Sequence, residues 1–295
     1  MHDVIRDMAL WLAQNGKKNK FVVNNGTQRI SLWDTDIEEL REPPYFPNME
    51  TFLAPHKFIR SFPNRFFTNM PIIRVDFTGD DERRLLEELE QLEHIDDISI
   101  NLTSVSTIQT LFNSHKLQRS TRWLQLVYVK INFEKEVVVS SKFPRHQCLN
   151  NLCDVKIFGC HKLLNLTWLI CAPNLQFLSI EFCESMEKVI DDERSEVLEI
   201  VEVDHLGVFS RLISLTLIYL PKLRSIHGRA LPFPSLRHIL MLGCSSLRKL
   251  PFDSNTGVSK KLEKIMGDQE WWDGLEWEDE TIMHNLTPYF QPSKI

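Results

Sequence analysis

The 295-residue chain is poor in the signatures that usually announce chemistry. No GxxxxGK[ST] stretch is present, which excludes a phosphate loop of the standard kind, and neither GxSxG nor HExxH occurs. No nucleophile, base and orienting group are set out in a recognisable order, so the sequence reads as a non-enzyme. No apolar run is long enough to span a bilayer. Residues 1–20 carry Asp3, Arg6 and Asp7 within their apolar part, which rules out a secretory signal there. An excess of positive charge is missing too: 34 basic residues stand against 40 acidic ones, a net charge of −6, and no basic module with interleaved aromatics appears. That balance gives no pull toward nucleic acid. The six cysteines lack paired CxxC hooks, so Cys148, Cys153, Cys160, His161 and Cys171 read as structural thiols rather than a metal site. A reducing, cytoplasmic setting follows from unpaired cysteines.

What the chain does have is a repeat. From Leu152, apolar residues follow at offsets of three, five, eleven and fourteen: Val155, Ile157, Leu163 and Leu166. The same comb selects Leu178, Ile180, Met186 and Val189 from Leu175, and Leu215, Leu217, Leu223 and Ile226 from Leu212. From Leu236 it selects Ile239, Met241, Leu247 and Leu250, and offset eight reads Cys160, Cys183, Leu220 and Cys244. Every tooth is apolar or Cys in a chain that is 43% hydrophobic, far beyond coincidence. This is the leucine-rich-repeat pattern. Offsets zero, three and five place a short strand with its apolar side chains inward, and offset eight lies where the chain leaves the strand. A Cys there can hydrogen-bond main-chain groups that have left the ladder. One repeat cannot bury its own face, so the units must stack: an α/β leucine-rich-repeat solenoid, with a parallel sheet on the concave face and an irregular or helical convex side.

Weaker teeth precede these. Thr27/Ile30/Leu32, Met49/Phe52/Ala54, Ile72/Val75/Phe77, Ile95/Ile98/Ile100 and Thr121/Leu124/Leu126 match offsets zero, three and five, for about nine repeats in all over 25–265. Between two of them, DDERRLLEELEQLEHI predicts a helix with Leu85, Leu86, Leu89 and Leu92 inward and an Asp at its start. Two spacings are long, which predicts loops at 127–148 and 191–206. The segment 181–204 carries ten acidic and two basic residues, a local −8, read as a solvated surface. Residues 266–295 leave the comb. Trp271, Trp272 and Trp277 sit there among acidic residues, as a C-terminal cap over the open end of the core requires.

Residues 1–14, MHDVIRDMALWLAQ, form an amphipathic pattern with Val4, Met8, Trp11 and Leu12 on one face. Met1-His2-Asp3 followed by VIRDMALWLA resembles the MHD motif and its helix in plant intracellular immune receptors of the nucleotide-binding, leucine-rich-repeat class, particularly the coiled-coil subgroup. The stretches around 114–126 and the tail WW-x-x-L-x-W resemble the same subgroup. The resemblance implies that 1–24 is the remnant of a winged-helix module. It implies that His2 contacts the phosphates of a bound ADP, given a nucleotide-binding module that this chain does not contain. ADP or ATP is therefore expected only in a full-length receptor, with no cofactor in this chain. The resemblance further implies a role in defence: sensing pathogen effectors, or modified and guarded host proteins, or packing against the receptor's own nucleotide-binding module. Such a protein is cytoplasmic, or held at the plasma membrane through its partners. Alternatives are a free-standing adaptor that selects substrates for a ubiquitin ligase, a receptor ectodomain, or a non-functional truncated relative.

The expected working part is the concave face, onto which offsets two, four and six project. The candidate protein-binding residues are Phe158, Phe177, Glu181, Ile218, His238 and Leu242. At offset six Phe158, Ile218 and Leu242 are large and apolar where water would favour polar groups, as at interaction sites.

Overall fold

A computed structural model describes residues 29–31, 51–53 and 74–77 by their main chain, and 82–92, 95, 97–129, 149–191, 207–252, 259–277 and 279–293 fully. His2, the helix expected over 1–14, Cys148 and nearly all of the two long loops lie outside the described residues. The chain divides into two compact units, 1–124 and 125–295, with the division inside strand β5 (Thr121–Val127).

In the first unit the weak teeth prove to be strands. β1 (Arg29–Ser31), β2 (Thr51–Leu53), β3 (Arg74–Phe77) and β4 (Asp97–Leu102) pair in parallel in chain order. Their register puts Ile30 beside Phe52, Phe52 beside Val75 and Val75 beside Ile98, the offset-three column. The predicted helix is α1 (Glu82–Gln91), and Leu85, Leu86, Leu89 and Leu92 are all buried. Two further helices were not read from the sequence: α2 (Val105–Asn113), capped by Ser104 Oγ accepting from Thr107 N at 3.3 Å, and α3 (His115–Ser120). Glu82 ties α1 to the start of α2. Its buried carboxylate accepts from Thr103 N at 2.8 Å, Thr103 Oγ1 at 2.6 Å and Thr107 Oγ1 at 2.7 Å. Charge-assisted bonds of this kind offset the cost of taking a carboxylate out of water.

In the second unit β6 (Asp154–Phe158), β7 (Phe177–Glu181), β8 (Ser214–Ile218), β9 (His238–Leu242), β10 (Lys264–Gly267) and β11 (Phe290–Pro292) follow one another as parallel neighbours. The register is the comb itself: Val155, Leu178, Leu215, Ile239 and Ile265 form one row. All comb positions from Leu152 onward are buried except Leu250, which is half-buried beside the end of its repeat. Each fully buried Leu or Ile contributes about 1.5–3 kcal/mol, and every one of them leans on the neighbouring repeat for its cover. Away from the strands, Phe209 stacks on Phe233 at 6.0 Å and Phe233 meets Phe252 edge-on at 5.4 Å.

The C-terminal segment caps the core, and it also extends the sheet. Trp271 and Trp272, on α4 (Gln269–Asp273), are buried, and Trp272 stacks on Phe290 at 4.2 Å and 12°. The expected boundary at 265/266 falls within β10, and β11 adds a last strand. Gly267 occupies β10's offset-five position because a Cβ there would lie 2.7 Å from Trp271 Cε3. The cap's second helix, α5 (Glu280–Leu286), begins where Asp279 Oδ1 accepts from Thr281 N at 2.7 Å. That bond holds the exposed Asp279 carboxyl below its ordinary range. No helix among the described residues is long and apolar enough to cross a membrane.

Candidate recognition surface

The turn after each strand shapes the surface of the second unit. Offset seven takes a left-handed conformation in successive repeats: Tyr128 (φ 52°), Gly159 (65°), Phe182 (56°), Tyr219 (52°) and Gly243 (64°). The reason is hydrogen bonding. In this conformation the offset-seven amide points to the next repeat and prolongs the ladder by one rung: Tyr128 N donates to Phe158 O at 2.9 Å, Gly159 N to Glu181 O at 2.9 Å, Phe182 N to Ile218 O at 2.9 Å and Tyr219 N to Leu242 O at 2.7 Å. At Gly243 the acceptor is the cap's Asp268 Oδ2, at 2.7 Å, standing in for a carbonyl.

The offset-eight cysteines satisfy the carbonyls beside this bend. Cys160 Sγ donates toward Phe158 O and Leu126 O at 3.6 and 3.8 Å, Cys183 Sγ toward Glu181 O at 3.4 Å, and Cys244 Sγ toward Leu242 O and Leu217 O, both at 3.5 Å. Burial pushes the Cys244 thiol up to about 12, against the weaker pull of backbone hydrogen bonds at Leu220 and Leu242. The hydrogen bond to Cys160, with burial, raises Cys183 as well. Cys183 and Cys244 are thus neutral thiols, and all three cysteines close a turn.

Glycine adopts a left-handed conformation without cost, whereas a side chain there costs about 1–2 kcal/mol. Three of these five positions nevertheless carry aromatics, and the aromatics face water. Tyr128 is 60% exposed, Tyr219 52% and Phe182 38%. They form a continuous ridge with Phe158. Tyr128 meets Phe158 edge-on at 5.4 Å, Phe158 meets Phe182 at 5.3 Å, and Phe182 stacks on Tyr219 at 5.0 Å and 22°. The two glycines are seats for the rings. A Cβ on Gly159 would lie 2.5 Å from two carbons of the Tyr128 ring, and one on Gly243 2.8 Å from Tyr219 Cδ1.

The expected binding residues therefore divide. Phe177 and His238 share the offset-two row and are exposed, Phe177 at 41%. His238 Nε2 lies 3.2 Å from Glu263 Oε2. Glu181 is half-buried and accepts from Ser179 Oγ at 2.7 Å. The offset-six column of Phe158, Ile218 and Leu242 is not the open apolar surface expected of it: all three are half-buried, and the most exposed aromatic rings sit one residue later. Counting strand alternation stopped at the strand end and missed Tyr128, Phe182 and Tyr219. The signal was present as aromatic or glycine recurring at offset seven.

The family model of plant disease resistance proteins, RPS2-like leucine-rich repeats, matches residues 122–266, which covers this surface. The disease resistance protein RPS5 of Arabidopsis thaliana is 32% identical over 69% of this chain and 26% of its own length. A probable disease resistance protein of the same plant is 25% identical over 98% of this chain and 45% of its own, and its disease resistance protein SUMM2 is 24% identical over 99% and 46%. The chain thus spans between about a quarter and a half of the curated relatives it matches. With a parallel, comb-registered sheet, the RPS2-like match and these relatives together, the chain belongs to the plant disease resistance proteins of the nucleotide-binding, leucine-rich-repeat family, as part of their repeat region.

Proposed function

We propose that the chain works by protein recognition within a plant immune receptor, and that the ridge of Tyr128, Phe158, Phe182 and Tyr219 is its contact surface. The partner is a pathogen effector, a modified host protein, or the receptor's own nucleotide-binding module held at rest. The observation that carries this reading is the cost of the ridge. A glycine would relieve each left-handed aromatic, yet three rings are kept there, exposed and in ring-to-ring contact. Backbone strain retained at an exposed apolar cluster is a property of contact sites. Rigid aromatics give a partner large contact area at little entropic cost. The reading assigns no catalytic step and no cofactor to the repeats, and leaves nucleotide to the receptor's other module.

Asparagine tolerates the left-handed region, so Tyr128→Asn, Phe182→Asn and Tyr219→Asn together remove the rings without removing the turn. A receptor carrying this triple variant should accumulate normally but lose either its triggered defence response or its resting restraint. Normal restraint and normal triggering with all three rings gone would overturn the reading.

A further inference from the structure

The strands of the second unit have a second edge. At their amino-terminal ends, opposite the ridge, lies a cleft of about 330 Å³ lined by Gln176, Arg211, Ile213, Ser235, Arg237 and Lys261. The repeat makes it. Arg211, Ser235 and Lys261 immediately precede the first leucines of successive repeats, Leu212, Leu236 and Leu262, while Gln176, Ile213 and Arg237 immediately follow Leu175, Leu212 and Leu236. Equivalent positions on neighbouring strands stand about 4.8 Å apart, so Arg211 and Lys261 are about 10 Å apart at their main chains, with the Arg237 row between them.

The cleft offers donors and few acceptors. Three of its main-chain carbonyls each take two amides: Gln176 O from Ile213 N and Ser214 N, Ile213 O from Arg237 N and His238 N, and Arg237 O from Glu263 N and Lys264 N. Both lone pairs of each carbonyl are thereby used. The neighbouring carboxylate, Glu263, is shared between Arg237 at 3.2 Å and His238 at 3.2 Å. Among the described residues no carboxylate lies within ion-pair distance of Arg211 or Lys261, both exposed. A positive surplus facing a concave space calls for an anion.

Its class follows from size and charge. At about 330 Å³ the space is at the small end of ligand sites, room for one ring. Cations this open to water each attract a single charge weakly, so a ligand must bring several negative charges within about 10 Å. A dicarboxylate is too weakly charged for that, whereas phosphates on one ring carry enough, and each offers the three acceptors an arginine fork matches. Ile213 supplies an apolar wall for the ring. We infer that this cleft binds a compact, multiply phosphorylated polyol, free in solution or as the headgroup of a lipid.

The test uses the full chain and two probes. Inositol 1,4,5-trisphosphate is titrated by calorimetry. Phosphatidylcholine vesicles, with and without phosphatidylinositol 4,5-bisphosphate, are tested by co-sedimentation. Saturable binding of the soluble trisphosphate, weakened at least tenfold in Arg211→Gln/Lys261→Gln, is expected. Sedimentation only with the phosphorylated vesicles, abolished in the same variant, also supports the inference and assigns the ligand to a lipid. Because both side chains are exposed, the variant should melt with the wild type. The inference fails if neither probe binds saturably, or if the variant binds unchanged. It also fails if Lys222→Gln/Arg224→Gln, outside the cleft, weakens binding as much.

Discussion

Gly243→Ala is the sharpest small perturbation of the turn that carries the ridge. Its φ of +64° costs an alanine about 1–2 kcal/mol. Loss of unfolded-state freedom returns about 0.4–1 kcal/mol. The added Cβ also falls 2.8 Å from Tyr219 Cδ1 and 3.3 Å from Tyr219 Cα. The ring can swing, at about 0.5–1.5 kcal/mol for a distorted rotamer, but the Cα belongs to a hydrogen-bonded turn and cannot. The sum is about 0.5–3 kcal/mol of destabilisation, which in a unit of this size lowers Tm by about 1–12 °C. Gly207→Ala is the matched control: nothing lies within 4 Å of its Cβ and its φ is not left-handed. It should leave Tm unchanged or raise it slightly. Melting curves of both variants, followed by circular dichroism, decide the matter. Equal Tm values for the two would show that the left-handed turn and its ring seat contribute nothing, and the account of the ridge would lose its structural basis.

Leu178→Asp should unfold the repeats around β7, because Leu178 is 2% exposed and an unpaired buried carboxylate costs several kcal/mol; limited proteolysis should cut first within that region, and a wild-type digest pattern would refute the comb. The Cys244 thiol, ordinarily 9.0 and pushed up to about 12 by burial, favours the folded state in its neutral form. That contribution is complete below pH 9 and is lost as pH rises from 9 toward 12, so urea stability should fall more steeply over this range in the wild type than in Cys244→Ala. Identical slopes would place the thiol in water.

Most of the fold was legible because burial in a solenoid is periodic. A row such as Val155, Leu178, Leu215 and Ile239 must be apolar in every repeat, so spacing alone located the strands, and even the weak row from Ile30 to Ile98 proved to be in register. Reading failed where one residue served two elements. Gly267 breaks the apolar rule of β10 because Trp271 needs the space, which hid a strand that runs across the expected boundary of the cap. Helices α2 and α3 escaped because their short apolar faces are completed by caps and side-chain bonds, such as Gln118 Nε2 donating to Phe112 O at 2.6 Å, rather than by a long period. The candidate surface was half legible. Phe177 and His238 are exposed as alternation requires, but alternation ends with the strand. The left-handed residue that follows turns Tyr128, Phe182 and Tyr219 outward, and a two-residue period contains no information about it.

The most direct test of the ridge is site-specific photo-crosslinking in plant tissue. A benzoylphenylalanine at Tyr219 reports what touches the ridge, and the same group at Arg224, exposed in the same repeat beyond the turn, is the reference. The ridge account predicts a discrete protein adduct from position 219 that position 224 does not give. No adduct at 219, or the same adducts from both positions, would contradict it.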